Sequence, residues 1–473
     1  MPHFSLPSLP SLVAAALALA LAGCAGMGRI EPAATPLDAN TLGAGAALRG
    51  DARFDWPRQA WWRDLHDPQL DQLLALALAD NPGVHVAQAR LRQARALAGL
   101  AGDNTGVRVE AGISLDRELY SEHGSAPAAL AGKYAWRNQA TLSASYDLDL
   151  WGRNRHALAA ALDEVQLAGA EVQMARLALA AALVRSYIQL SFQFELRDCI
   201  ENGLAQRAKI LDLARRRRHA GLGTEADIAR VETTLPAGRR ELEQAAQDIA
   251  LLRNQLAVLS GKGPAAGEAL RRPALRLDGA PGLPQALPAE LIGRRPDIAA
   301  QRWRVEAAAH RVDAAKAEFY PNVNLLAFAG LQSFGFGHFL DASSATRGVT
   351  PALSLPLFAG ARLRAQLGNQ GALYDGAVEQ YNATVVGALG EVANAVAKLD
   401  SLRRQDGLSR AALAAAVKAQ ALAGRAYRAG LSDSLDLLNA DLALLSERQQ
   451  TAQLGARELD AYVGLMAALG GGI

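Results

Sequence analysis

The chain has 473 residues, is half apolar, and carries 49 basic against 47 acidic side chains for a formal charge of +2. That near balance excludes a bulk electrostatic pull towards nucleic acid or acidic substrates, so no nucleic-acid partner is expected. Aromatics make up only 5 % while alanine and leucine dominate long stretches, which favours extended helices packed through small side chains over an aromatic globular core.

In chain order the first element is an export signal. An apolar run from Leu12 to Leu21 leads through small residues to Cys24. Leu21-Ala22-Gly23-Cys24 resembles a bacterial lipobox, which makes 1–23 a signal peptide and Cys24 the lipid-bearing first residue of an extended, anchored segment, 24–66. The leader has His3 but no Lys or Arg, and the alternatives are an uncleaved anchor or an ordinary buried cysteine. Ala25 follows the cysteine where Asp would retain a lipoprotein in the inner membrane, so the outer membrane is the expected destination. With Cys24 acylated, Cys199 is a lone thiol suited to neither a disulfide nor a Cys-rich metal site, and no cofactor or metal is expected.

The remaining sequence repeats itself. Asn81-Pro82 answers Arg295-Pro296, "YDLDLWG" around Trp151 answers "LSLPLFAG" around Phe358, Gly221 answers Gly430, and Leu259 answers Leu469, in one order and at spacings of 207 to 214 residues. A tandem duplication follows. The first copy, 67–261, predicts strands at about 106–118 and 136–150 and long helices at about 152–218 and 224–260. A linker, 262–293, leads to the second copy, 294–473, with strands at about 322–334 and 346–358 and helices at about 361–428 and 433–469. At 1.5 Å per residue the longer helices reach on the order of 100 Å. Val378, Tyr381, Val385, Leu389, Val392, Val396 and Leu399 recur at a mean spacing near 3.5 residues, the coiled-coil period.

The strands alternate. Leu142, Ala144, Tyr146, Leu148 and Leu150 are apolar or aromatic, whereas Thr141, Ser143, Ser145, Asp147 and Asp149 are polar. Val107 to Leu115 and Val349 to Leu357 alternate likewise, while Leu326 and Phe328 interrupt the polar face of 322–332. Such lengths are close to the roughly 9–11 residues of a tilted membrane strand. No apolar run long enough for a spanning helix is expected after signal removal. An open sheet leaves its edge amides unsatisfied in lipid, and four strands are too few to close a barrel, so several copies must contribute. Trp151-Gly152 marks a strand-to-helix junction with almost no loop, Trp151 suiting an interfacial anchor and Gly152 a bend. Asp147 and Asp149 are placed on the strand's polar, lumen-facing side.

"YDLDLWGRNR" (146–155), "RRPDIAAQRWRVEAAAHRVDAAKAEFYPNV" (294–323), "PALSLPLFAG" (351–360) and "YRAGLSDSLDLLNADLALL" (427–445) resemble hallmark segments of the TolC-like outer-membrane efflux channels, in particular the lipoprotein branch related to OprM and NodT. The resemblance covers nearly the whole mature chain. It implies a mainly α fold with membrane β: a homotrimer whose twelve-strand β-barrel continues into a twelve-helix periplasmic α-barrel. It also implies outer-membrane lipid, a periplasmic adaptor and an inner-membrane transporter as partners, and passive conduction of small molecules through a closable entrance. Ala220, Gly221 and Leu222, with Ala429, Gly430 and Leu431, match tips that meet the adaptor. Asp436 and Asn439 match gate positions, Asn439 departing from the acidic pattern. Asp433 stands nearby and equally suits the helix N-terminus, as does Asp436. Arg215 to His219 read as cations at a helix C-terminus, or as a docking or intersubunit patch.

Two other classes compete. For an enzyme, the eight histidines are scattered, HExxH and GxSxG do not occur, and "SGKGP" lacks the spacing of a phosphate loop. A structural coiled-coil lipoprotein would explain the helices but not four alternating strands. Within the channel reading, type I protein secretion is the alternative to small-molecule efflux.

Overall fold

The computed structural model describes residues 27–28, 30–38, 42, 56–125, 127–277, 293–356 and 358–472; the signal peptide, Cys24 and part of the inter-repeat linker lie outside them. Helix α1 (Pro68–Asp80) starts where Asp67 accepts the backbone N–H of Gln69 at 2.9 Å and of Leu70, with Pro68 fixing the first φ. Then follow α2 (Pro82–Asp103), β1 (Arg108–Leu119), β2 (Tyr134–Asp147), α3 (Arg153–His219) and α4 (Glu225–Leu259). The second copy supplies α5 (Pro296–Ala317), β3 (Asn322–Phe334), β4 (Ala345–Ser354), α6 (Gly360–Arg428) and α7 (Ser434–Ala468). The paired long helices have 67 and 69 residues and their successors 35 each, so both copies run on one plan.

These elements form two compact units, each drawing on both repeats. Among the described residues, the sheet unit contains Arg90–Ala168 and Ala300–Asn382 with those from Met27 to Pro36, and the helical unit contains the rest. In the sheet unit the four strands form an antiparallel meander in the order β1-β2-β3-β4, with Leu142 opposite Ala111 and Ala329, and Ala327 opposite Val349. A small core of Val312, Ala315, Phe319, Leu363 and Leu367 joins α5 to the start of α6. The N-terminal segment is held to α6, where Asp375 Oδ1 accepts the N–H groups of Ala33 and Ala34, both at 2.9 Å.

Two strand ends differ from the sequence expectation. β2 stops at Asp147 and not Leu150, because Asp149 adopts a left-handed φ of 43° that breaks the extended backbone. β4 stops at Ser354, just before Pro356, which has no N–H to continue a ladder. A short turn therefore separates β2 from α3 where the sequence reads as nearly continuous.

The helical unit has a core of Trp61, Leu65, Leu70, Leu74, Leu183, Tyr187, Ile188, Leu256, Val392, Tyr462, Leu465 and Met466, among others. The duplication is visible in its atoms. Asn81 Nδ2 donates to the carbonyl of Leu259 at 2.9 Å, and Arg295 Nη1 donates to the carbonyl of Ala468 at 2.9 Å; each residue before a repeat-opening proline closes the last helix of its own repeat. Gly261 (φ 72°) lies where a Cβ would meet the Asp80 carbonyl at 2.6 Å, and Gly470 (φ 91°) where one would meet the Arg294 carbonyl at 2.6 Å. Both close approaches require glycine.

Five of the seven seam positions on α6, Val378, Tyr381, Val385, Val392 and Leu399, are buried. Among the described residues α3 alone is apolar enough by length and composition to cross a membrane, contrary to the expectation that no such run remains. Its Leu179, Leu183, Val184, Tyr187 and Ile188 belong to the core, so the apolarity is that of a packed helix.

Candidate functional site

The register sorts the strands into two chemically distinct faces. On one lie Val109, Ala111, Ile113, Leu115, Ala140, Leu142, Ala144, Tyr146, Leu325, Ala327, Leu331, Val349 and Leu353, with Arg347 and, near the hairpin end, Arg117, Asn138 and Ser333 as polar exceptions; on the other lie Arg108, Glu110, Ser114, Thr141, Ser143, Ser145, Asn324, Gln332, Thr346 and Thr350. The apolar face is bare: Ile113 is 76 % exposed and Val349 is 67 % exposed. Phe328, which breaks the polar alternation, lies over Gly348 of β4, where a Cβ would come within 2.7 Å of its ring. The glycine makes room for the aromatic, so the apparent irregularity is a cross-strand pair.

Aromatic side chains gather at both ends of the sheet. At the hairpin end are Tyr134, Trp136 and Phe336, the last two with ring centroids 5.4 Å apart. At the helix end Trp151 stacks on Tyr320 at 4.5 Å and its indole N–H donates to the Pro321 carbonyl at 2.9 Å. Phe358, the counterpart of Trp151, is fully exposed. Apolar bands flanked by aromatic girdles are the pattern of a strand surface that faces lipid between two interfaces.

The β2-to-α3 turn rests on two carboxylates. Asp147 accepts the Asp149 N–H at 3.0 Å, Arg153 Nη2 at 2.8 Å and Asn322 Nδ2 at 3.2 Å. Asp149 accepts the N–H groups of Asn154 and Arg155, both at 2.9 Å, which are free donors of the first turn of α3. Gly152, at φ 79°, completes the bend. Asp149 thus lies beyond the strand and caps the helix, which corrects its expected lumen-facing place; the chain needs an anion there to satisfy the helix end. Asp149→Ala is expected to destabilise by about 1–2 kcal/mol, and Asp149→Asn by less, in thermal melts of the purified protein.

At the far end of the long helices, the two tips are near copies. Gly221 (φ 73°) and Gly430 (φ 76°) close Schellman turns in which Leu222 N–H donates to Arg217 O at 2.8 Å and Leu431 N–H to Ala426 O at 2.9 Å. Ala220 and Ala429 precede these glycines, while Leu222 is 69 % exposed and Leu431 is 82 % exposed. α4 then opens with a capping box between Thr224 and Asp227, and hydrogen bonds from Thr224, helped by Ser434 and the nearby Arg230, hold the Asp227 carboxyl below its usual range. α7 opens with Asp433 accepting the Asp436 N–H at 3.0 Å. Ser434 Oγ donates to Asp227 Oδ1 at 3.1 Å, and Arg217 donates to the Tyr427 carbonyl at 2.8 Å while its guanidinium covers the Tyr427 ring. These contacts tie one tip to the other over a core of Ile210, Ala214, Ile228, Val231 and Leu437.

The arginine run at 215–218 is internally paired: Arg215 with Glu232 at 2.7 Å, Arg216 with Asp212 at 2.5 Å, Arg218 with Glu225 at 3.8 Å, and Arg217 with Tyr427. Three carboxylates, with the Tyr427 carbonyl and ring, are thus partners to the run within the chain. Asp436 and Asn439 lie one turn apart on the exposed side of α7, opposite the buried Leu437, Leu438 and Asp441. Asp433 has the local capping role that was its alternative reading.

A sequence model of the family described as "Outer membrane efflux protein" matches residues 73–262 and again 287–471. The chain belongs to this family. The double match falls on the two repeats. The chain is 43 % identical over 364 residues to the fusaric acid resistance protein FusA of Burkholderia cepacia, covering 76 % of this chain and 68 % of that protein. It is 31 % identical over 433 residues to the multidrug resistance outer membrane protein MdtP of Escherichia coli, covering 89 % of this chain and 88 % of that one. Among solved structures, the outer membrane protein VceC of Vibrio cholerae superposes with a TM-score of 0.84 at 34 % identity, over 88 % of this chain and 100 % of that one. The outer-membrane channel OprN superposes with a TM-score of 0.83 at 28 % identity, over 94 % of this chain and 98 % of that one. As an outer membrane efflux protein, the chain has the TolC-like fold, resides in the outer membrane with a periplasmic tunnel, and is an exit channel of an efflux system.

One residue near the tips of this outer membrane efflux protein carries no signal in the sequence. Asp441 is buried in α7, its Oδ2 has no hydrogen-bond partner, and burial pushes its carboxyl above the usual range while Arg207 and Arg448 pull it back. With the folded-state value raised, its contribution to stability is fully present below the unfolded value and is lost as pH rises through the folded one. Asp441→Asn is therefore expected to raise the melting temperature at pH 7, with the gain vanishing as the pH is lowered to about 4, near the unfolded carboxyl value.

Proposed function

We propose that three copies of this chain close one twelve-strand barrel and one twelve-helix tunnel, and that the trimer receives small organic molecules from an inner-membrane transporter through a periplasmic adaptor. One observation carries the reading: a four-stranded sheet with a bare apolar face and two open edges, β1 and β4. Pairing β4 of each copy with β1 of the next satisfies both edges in a cyclic head-to-tail contact, which four strands cannot achieve alone. Each copy is anchored through lipidated Cys24, as in the OprM- and NodT-like branch. The organisation follows: signal peptide 1–23, anchored segment 24–66, repeats 67–261 and 294–473, and linker 262–293.

Trp151 anchors the barrel at its inner interface and Gly152 turns the wall from strand to helix. The exposed tips Ala220-Gly221-Leu222 and Ala429-Gly430-Leu431 meet the adaptor's helical hairpins, and Asp436 rings the entrance, with Asn439 one turn further in and Asp433 holding the helix start. The names of FusA and MdtP support small-molecule cargo over secreted protein.

The test is the purified full-length protein in a planar bilayer. A heat-sensitive trimer with cation-preferring conductance is expected, and Asp436→Ala should weaken that preference. A monomer without conductance refutes the trimeric channel, and an Asp436→Ala trimer with unchanged conductance and selectivity removes Asp436 from the constriction. Crosslinking from Leu222→Cys and Leu431→Cys in cells should capture the adaptor, and a failure of both in cells that use the channel refutes the docking assignment.

A further inference from the structure

One turn beyond the Gly152 bend, α3 and α5 bring together groups that the channel reading does not use. His156 of α3 and His310 and Asp313 of α5 have donor atoms that all lie within 4.8 Å of one another. The two imidazoles have centroids 5.8 Å apart, and Gly152 leaves room for the His156 ring, since a Cβ there would come within 3.1 Å of it. His310 Nε2 lies 3.7 Å from Asp163 Oδ2, whereas His310 Nδ1 is buried with no hydrogen-bond partner. The His310 side chain is 35 % exposed as a whole, yet this one nitrogen is shielded and has no partner, which calls for an explanation.

The carboxylate of Asp163 supplies one. Its side chain is only 15 % exposed and stands on the Nε2 side of the His310 ring. Its Oδ2 is itself a buried acceptor with no hydrogen-bond partner and, at 3.7 Å, lies beyond hydrogen-bond reach of Nε2; its charge still favours the tautomer with the proton on that nitrogen, which leaves the lone pair on Nδ1. A carboxylate behind one imidazole nitrogen and a free lone pair on the other is the arrangement that orients histidines towards metal ions. Asp313 Oδ1 accepts from Lys316 Nζ at 3.0 Å, which leaves its second oxygen as the donor.

We propose that His156, His310 and Asp313 form a site for a divalent transition-metal ion of the zinc type, with Asp163 positioning His310. Two imidazoles and one carboxylate suit Zn²⁺ or Cu²⁺, not the all-oxygen shells of Mg²⁺ or Ca²⁺. Zinc–ligand bonds of about 2.0–2.1 Å bring tetrahedral donors to roughly 3.3 Å apart, so the side chains close in by an ångström or so on binding. Three protein ligands leave one position for water. The bound ion links the first turns of α3 to α5 directly below the strand-to-helix turn, a structural tie within the sheet unit.

The probe is Zn²⁺ added to the full-length, chelator-treated protein without a polyhistidine tag, read by calorimetry. One ion per chain is expected, with a zinc-dependent rise in melting temperature. His310→Gln should abolish both, Asp163→Asn should weaken binding about 10- to 100-fold, and His338→Ala, a surface histidine elsewhere, should change neither. Cu²⁺ in place of Zn²⁺ should give an electron paramagnetic resonance spectrum with two nitrogen couplings, falling to one in His156→Gln. Asp313→Asn keeps the shape of the site and should lower affinity without altering the metal-free melt, which separates ligand loss from misfolding. Equal zinc binding by the wild type and the His156→Gln/His310→Gln double variant overturns the proposal, as does a copper spectrum without nitrogen coupling.

Discussion

Leu142→Arg is expected to deplete the protein from the outer membrane, while Ser143→Arg, one residue away, leaves it there. Leu142 lies in the middle rows of the sheet between Ala111 and Ala329, on the exposed apolar face. An arginine on the lipid side of a barrel costs about 2–4 kcal/mol near the midplane, and the proposed trimer would incur it in every copy. Ser143 pairs with Glu110 and with Phe328 on the opposite face. An arginine there meets water and a carboxylate, and costs little. The measurement is the amount of heat-modifiable protein in purified outer membranes. Equal depletion by both variants would mean that the faces are assigned wrongly, since a general folding defect has no reason to follow the alternation of the strand.

That alternation was readable because a strand's period of two needs no knowledge of its neighbours. The long helices and the duplication were readable for the same reason, as patterns internal to one segment or repeated at one spacing. Contacts between distant residues were not readable. Asp149 looks like one more polar position of a strand, and only its left-handed backbone shows that it serves the helix that follows. Phe328 looks like a flaw until Gly348 is seen across from it. His156 and His310 are two of eight scattered histidines, and nothing local to either announces the other. At the tips, the glycines and Asp433 were legible as turn and cap chemistry, whereas the burial of Asp441 depends on the packing of α7 against its neighbours.

Arg295→Leu is expected to cost about 2–4 kcal/mol, several times the effect of Asn81→Ala at the matching place in the first repeat. Both residues precede the proline that opens a repeat, and both donate to a carbonyl at the end of that repeat's last helix. Arg295 does more. It grips Asp297 through Nε at 3.0 Å and Nη2 at 2.6 Å, and its Nη1 reaches Glu391 at 2.7 Å. Its own side chain is 8 % exposed against 61 % for Glu391, so the Glu391 pair is largely screened and adds little. The loss lies in the bidentate pair and in the Ala468 carbonyl left without its donor. Leucine fills the volume, which limits the cavity term, but satisfies none of these groups. Lysine keeps the charge without the planar fork, so Arg295→Lys should recover only part of the stability. Hydrogen exchange at the end of α7 should quicken in Arg295→Leu more than exchange in α4, because the bond that is broken belongs to the second repeat alone. A uniform change across both helices would instead place Arg295 in a core shared by the two repeats, and would dissolve the correspondence with Asn81.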